Sequence, residues 1–207
     1  MSDIIKEKIK LTLYSDFVCP FCYIAEKSTL SRLQKEYSIE LDWRGFELHP
    51  ETPVGGVGID SIFPKERIPE MQKYMLNFAK NFNVEMKFST RMSNTRRILA
   101  MAEYARKKEK LEVFREIGMH NYWNEGKDIE NAEVLRSIAQ SAGLNADEAL
   151  SASENEEYLS IIDNTRKKAN EIGVSGIPTF FIENKIIVGC QPYEVFHKAI
   201  LETGENA

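Results

Sequence analysis

The chain has little cysteine, little histidine and no long apolar run. Three cysteines in 207 residues are too few to staple a secreted disulfide scaffold. No stretch approaches the roughly 20 apolar residues that cross a bilayer, so a membrane partner is not expected. The amino terminus, Met1-Ser2-Asp3-Ile4-Ile5-Lys6-Glu7-Lys8, lacks the apolar segment and small-residue cleavage site of a signal peptide. These absences predict a cytoplasmic protein. Positive charge is also short: 27 Lys and Arg stand against 32 Asp and Glu, a net charge of −5. That balance works against nucleic-acid binding, which needs a cationic surface to displace counterions from phosphates. Arg106-Lys107-Lys108 and Arg166-Lys167-Lys168 lie beside acidic residues and read as solvated helix faces. His49, His120 and His197 are scattered, with none of the spacing of a zinc site, so no metal is expected. No phosphate-binding glycine loop is present, so no tightly bound nicotinamide or flavin is expected.

What is present is an ordinary globular composition, 43% hydrophobic and 29% charged, long enough to bury a substantial core. Lys10 to Val18 alternates and then turns apolar, as a strand entering a core does. Pro20 follows at a first helical position, and Leu30, Leu33 and Tyr37 continue at helical spacing. A second strand is predicted from Ile39 to Leu48. His49 to Pro64 is a loop rich in proline and glycine. Beyond it the chain reads mainly as helix. Ser93 or Asn94 caps a helix carrying Ile98, Leu99, Ala102 and Ala105; Asn131 caps one carrying Val134, Leu135 and Ile138, stopped by Gly143. A further helix through Ile161, Ile162 and Ala169 ends at Gly173. Thr179 to Val188 reads as two strands around Glu183-Asn184, and Gln191-Pro192 opens a final amphipathic helix with a frayed end from Glu202.

The order is β-α-β, a long helical block, then β-β-α. Neither end has enough strands for a stable sheet alone. The prediction is therefore an α/β fold formed by residues 1–60 and 165–207, with a large all-helical insertion over 61–164.

The chemistry centres on Cys19-Pro20-Phe21-Cys22. In a reducing compartment a Cys-x-x-Cys reads as redox or metal chemistry. A redox dithiol needs one accessible, easily ionised sulfur and a second within reach. At a helix start the free N–H groups favour a thiolate on the first cysteine, and the second lies one turn inward. Cys19 is then the nucleophile and Cys22 the resolving thiol, with Pro20 starting the helix. Two buried hydrophobic thiols are the plainer alternative. Much later, Gly176-Ile177-Pro178-Thr179-Phe180 places proline at the entry of an apolar strand. A cis Ile177–Pro178 bond would turn the Ile177 backbone toward a substrate beside Cys19; an ordinary trans proline is the alternative. Asp16, three residues before Cys19, could accept a proton from Cys22 if buried, or merely hold a loop amide. Tyr14, Phe17, Phe21 and Tyr23 read as core or groove wall.

These residues resemble a family. Tyr14-Ser15-Asp16-Phe17-Val18-Cys19-Pro20-Phe21-Cys22-Tyr23, a helical insertion, and Gly173-Val174-Ser175-Gly176-Ile177-Pro178-Thr179-Phe180 resemble the DsbA-like thioredoxin superfamily. Within it the chain is similar to the FrnE-type branch, near the 2-hydroxychromene-2-carboxylate isomerases and kappa-class glutathione transferases. His49-Pro50-Glu51-Thr52-Pro53, Asn94-Thr95-Arg96, the run from Tyr122 to Ile129, and Gln191-Pro192-Tyr193 resemble landmarks of that branch. The resemblance implies a thioredoxin fold, a cis Pro178 facing the dithiol, and an insertion capping one side of the cleft.

Two departures bear on function. Strongly oxidising members usually carry histidine where this chain has Phe21, so a weaker oxidant is expected, working as a reductase or isomerase in the cytosol. Cys190 stands where relatives often have a small residue. It reads as an accessory thiol at the groove rim, open to glutathionylation or substrate trapping, or as a small apolar filler. The leading expectation is a thiol–disulfide oxidoreductase acting on protein or low-molecular-weight thiols and disulfides, with glutathione as a co-substrate. The alternatives are a glutathione-dependent isomerase or transferase on the same fold and a non-catalytic holdase. Nothing in the sequence marks an oligomeric state.

Overall fold

A four-stranded sheet, ordered Ile39–Gly45, Ile9–Ser15, Thr179–Ile182, Lys185–Val188 across its width, organises residues 8–204, the part that the computed structural model describes. The amino-terminal segment that lacks the marks of a leader lies largely outside the described residues, as does the end of the tail beyond 204. β1 (Ile9–Ser15) puts Leu11 and Leu13 on one face with no exposure, as period-two alternation requires. It pairs parallel with β2 (Ile39–Gly45) and antiparallel with β5 (Thr179–Ile182). β5 returns through Glu183-Asn184 into β6 (Lys185–Val188). Both amino-terminal strands stop short of the expected ends, because the chain turns at Asp16 and at Phe46 to build the loops of the site.

The parallel β1–β2 pair needs a crossover, supplied by α1 (Pro20–Ala25) and α2 (Ser31–Glu36). Between them Glu26–Leu30 winds as one π turn. β3 (Val57–Gly58), α3 (Ile68–Asn81) and β4 (Arg91–Met92) follow. β3 and β4 form a two-residue ladder, so the block expected to be all-helical carries a short strand at 91–92. Next come α4 (Arg96–Lys107), α5 (Leu111–Trp123), α6 (Ala132–Ser141), α7 (Ala146–Ala152) and α8 (Glu156–Glu171), and α9 (Tyr193–Gly204) closes the chain after β6. Asn131, Asn145 and Asn155 each accept backbone N–H groups at the starts of α6, α7 and α8, the bonds that hold an N-cap in place. At α4 the cap sits one residue off the expected pattern: Thr95 precedes the helix and makes no cap bond, while Asn94 Oδ1 accepts from Arg96 N at 2.9 Å.

One core runs through both parts of the chain. Leu11, Leu13 and Phe180 of the sheet share it with Ile98, Leu99, Phe114 and Leu135 of the helical block. The division expected at residue 165 falls inside α8, which packs on α4 and also against β2. No helix among the described residues is long and apolar enough to cross a membrane.

Candidate active site

Cys19 is the extended residue that caps α1, and Pro20 occupies the first helical turn. The Cys19 amide donates to Asp16 O at 3.3 Å, and its carbonyl accepts from Tyr23 N at 3.1 Å. Strand end, dithiol and helix are thus one hydrogen-bonded unit. Cys22, one turn inward, is fully buried. Both cysteines are free thiols.

The Ile177–Pro178 peptide bond is cis. Ile177 O lies 3.7 Å from Cys19 Sγ and accepts its thiol hydrogen. The loop is held from both sides: Gly189 N donates to Pro178 O at 2.7 Å, and Thr179 Oγ1 donates to Gly176 O at 2.6 Å. Residues 158 positions apart therefore meet at one sulfur. The sulfur is less open than expected, however. Cys19 is only 2% exposed, because the proline loop closes over it. Phe21, beside it, sets its ring edge-on to Phe78 of α3 with centroids 5.3 Å apart.

A polar cluster lies beneath Cys22. Ser15 Oγ donates to Glu26 Oε1 at 2.5 Å, and Trp43 Nε1 donates to the same oxygen at 3.1 Å. Glu26 Oε2 meets Arg115 Nε at 3.2 Å, with both side chains more than nine-tenths buried. α5 can bring Arg115 this close because Gly118 has no side chain; a Cβ there would lie 2.7 Å from Phe17 Cε1. Burial and the neighbouring Cys19 sulfur push the Cys22 thiol well up, while the Ser15 hydroxyl and the Asp16 backbone N–H pull it back. Sequence reasoning missed Ser15, Glu26 and Arg115. The available signal was Glu26 four residues after Cys22, which puts a carboxylate on the same helix face.

Asp16 is completely buried but is a hub for amides. Its Oδ1 accepts from Phe17 N at 2.7 Å; its Oδ2 accepts from Leu48 N at 2.8 Å and Thr95 Oγ1 at 3.1 Å. Burial raises its pKa to about 7 against these stabilising bonds. Asp16 thus ties the exits of β1 and β2 to the start of α4. Of the aromatics, Phe17 packs in the core between Trp43 and Phe114. Tyr23 stacks on Trp123 and donates to Asn124 Oδ1 at 2.6 Å. Tyr14 packs edge-on against Phe181. Trp123 Nε1 in turn donates to Phe17 O at 2.9 Å, fixing the dithiol loop to the helical block.

Cys190 follows the glycine bonded to Pro178 and borders a cleft of about 810 Å³ with Thr29, Arg32, Phe78, Asn81 and Glu194. Burial, with a contribution from the Cys19 sulfur, pushes its thiol up to about 12. An apolar pocket of about 170 Å³ opens on the other flank, walled by Val18 and Pro20.

Comparisons with known proteins agree with this fold. A family model described as a DSBA-like thioredoxin domain matches residues 10–201. YwbO of Bacillus subtilis is 26% identical over 195 residues, covering 93% of this chain and 96% of that protein. The 2-hydroxychromene-2-carboxylate isomerase of Sphingobium xenophagum is 24% identical over 194 residues, covering 93% and 98%. Among solved structures, a "probable DsbA oxidoreductase" of Streptomyces coelicolor superposes with a TM-score of 0.86 at 18% identity, over 96% of this chain and 91% of that one. The cytosolic disulfide reductase DsbM of Pseudomonas aeruginosa gives 0.71 at 17% identity, over 94% and 99%, and has also been solved with glutathione. The chain belongs to the DSBA-like thioredoxin domain family.

Proposed function

We propose that the protein is a cytosolic thiol–disulfide oxidoreductase in which Cys19 attacks and Cys22 resolves. The observation that carries this reading is the pair of cysteine sulfurs at a strand–helix junction, one under the Ile177 carbonyl and the other above a hydroxyl–carboxylate pair. The Cys19 thiolate attacks a substrate disulfide; one S–S bond breaks as another forms, and a thiolate leaves. Cys22 must then lose its proton. Ser15 Oγ takes that proton while passing its own to Glu26 Oε1, 2.5 Å away, and Arg115 holds the carboxylate in place. The Cys22 thiolate attacks Cys19 Sγ and expels the second substrate thiolate. Two electrons pass from the dithiol to the substrate, and the reverse sequence oxidises a substrate dithiol.

Protein disulfides and low-molecular-weight disulfides both suit this site, with glutathione as co-substrate. The cleft beside Cys190 offers a guanidinium (Arg32), a carboxylate (Glu194) and the Asn81 amide, the polar range a small charged peptide requires. The glutathione-bound DsbM structure supports that assignment. Phe21 in place of a cationic neighbour supports a weaker oxidant than the strongly oxidising members, with net flow toward reduction or isomerisation.

Replacing Cys22 with Ser tests the assignment. The variant should accumulate a covalent adduct on Cys19 that added dithiol releases, and should stop turning over. Full turnover by Cys22→Ser would favour instead a glutathione-dependent isomerisation, the reading supported by the Sphingobium relative.

A further inference from the structure

We propose that the apolar pocket beside Pro20 binds a single aromatic ring carrying an anionic substituent, presented by a small aryl disulfide whose sulfur meets Cys19. The reacting part of this inference rests on the dithiol assignment; the binding part does not.

The pocket lies between α3, the β3–β4 ladder and the end of α5, and Val18 and Pro20, on either side of Cys19, form its inner wall. Its volume, about 170 Å³, is close to the ~150 Å³ of an apolar cavity that takes up benzene. Three methionines converge on it, Met71 and Met75 one turn apart on α3 and Met92 on β4. Unbranched thioethers adapt to flat guests and make favourable contacts with ring edges. Packing alone would have driven such flexible side chains to fill the space.

The polar groups on the wall are already engaged. Tyr122 donates to Arg91 O at 2.6 Å, Ser89 Oγ donates to the same carbonyl at 2.7 Å, and Trp123 Nε1 donates to Phe17 O. A sugar or peptide backbone would find its hydrogen-bonding groups unmet there. The exception is Arg91, a solvent-exposed residue on the lining that forms no ion pair among the described residues. A ring inside with a carboxylate toward Arg91 satisfies both features. In the reaction the Cys19 thiolate attacks the aryl disulfide, an arylthiolate leaves, and Cys22 resolves the mixed disulfide as described above. The dithiol supplies the two electrons.

Binding can be read without turnover. The full-length reduced protein, labelled at its methionine methyls, is titrated with benzoate and followed by NMR. Saturable shifts are expected at Met71, Met75 and Met92, with the core residues Met101 and Met119 unmoved. Arg91→Gln should weaken benzoate about fivefold, the upper end for a solvent-exposed ion pair, and leave benzyl alcohol unchanged. No saturable shift, or shifts spread equally over all the methionines, would overturn the site.

The kinetic arm compares the disulfide of thionitrobenzoate with hydroxyethyl disulfide. Met75→Trp fills the pocket and should slow the aryl substrate about tenfold or more while sparing the aliphatic one. Should the tryptophan disturb folding, the exposed Arg91→Gln change carries the same comparison. Methyl shifts without reaction of either disulfide would overturn the dithiol assignment and keep the pocket. Reaction of both disulfides, with neither variant selective, would do the reverse.

Discussion

The two sulfurs lie three residues apart, yet their surroundings differ in kind. Cys19 meets backbone: a carbonyl from the proline loop above it, and beyond that a polar cleft on one flank and an apolar pocket on the other. Cys22 meets, besides the Asp16 amide, a line of side chains: a serine hydroxyl, then a carboxylate, then a guanidinium, all inside the protein. In the proposed reaction the upper setting receives a partner and the lower one moves a proton. A backbone acceptor is insensitive to substitution, whereas the lower cluster depends on the identity of each residue, so mutation separates the two.

The largest effect is expected from Glu26→Ala. It leaves Arg115 charged and unpaired in the interior, where Arg115 Nη1 already has no protein partner. Chemical denaturation should show a loss of about 3–5 kcal/mol. Glu26→Gln keeps the shape and should lose less stability, while the mixed disulfide on Cys19 clears more slowly.

Asp16 gives the next effect, visible only against pH. Burial pushes its carboxyl up to about 7 in the folded chain, from an ordinary value of 3.8. Between those values the folded state holds the extra proton, so this residue's contribution to stability is largest below pH 4 and declines as pH rises through 7. The gap between the two titrations corresponds to roughly 4 kcal/mol over that window. Asp16→Asn should flatten the slope between pH 4 and 7 in a denaturation series. An unchanged slope would move the titrating group elsewhere.

Phe21→His acts on the upper setting alone. A cationic ring beside Cys19 should make the couple more oxidising by about 30 mV, equivalent to ~1.4 kcal/mol, measured against glutathione buffers. The smallest effect is expected from Cys190→Ala, less than about 1 kcal/mol in stability with turnover nearly unchanged. A thiol pushed up to about 12 stays protonated at neutral pH, so mass spectrometry after treatment with glutathione disulfide should find the adduct on Cys19 rather than Cys190.

The upper setting was more legible in the sequence than the lower one. Cys19-Pro20-Phe21-Cys22 announces itself because paired cysteines and a helix-starting proline act locally, whereas Ile177-Pro178 gained its place opposite them only through the family resemblance. Capping asparagines and stopping glycines such as Asn131 and Gly143 are local in the same way, and the helices they bound were found. Glu26 and Arg115 are 89 residues apart on two amphipathic helices, where a charge reads as solvent-facing until the fold shows what stands opposite. α3 gave the converse problem. Met71, Met75 and Phe78 mark an apolar face at helical spacing, but nothing in the sequence says that this face overlooks the dithiol. The near-closure of Cys19 was illegible for the same reason, since it depends on how a loop 158 residues away is seated.

The π turn at Glu26–Leu30 has a consequence for the length of the chain. A π turn accommodates one more residue than the α-helix around it, which rotates everything downstream by about 100° relative to an unbroken helix. Cys22 and Glu26 face the site from the near side of that step, while Leu30 and Leu33 face the core from the far side. A chain one residue shorter here would form a more regular helix with one of those two faces turned away from its partners. Deleting a single residue between 26 and 30 should therefore do more damage than most substitutions in the same stretch, and homologues that keep the fold should carry the extra residue at this turn.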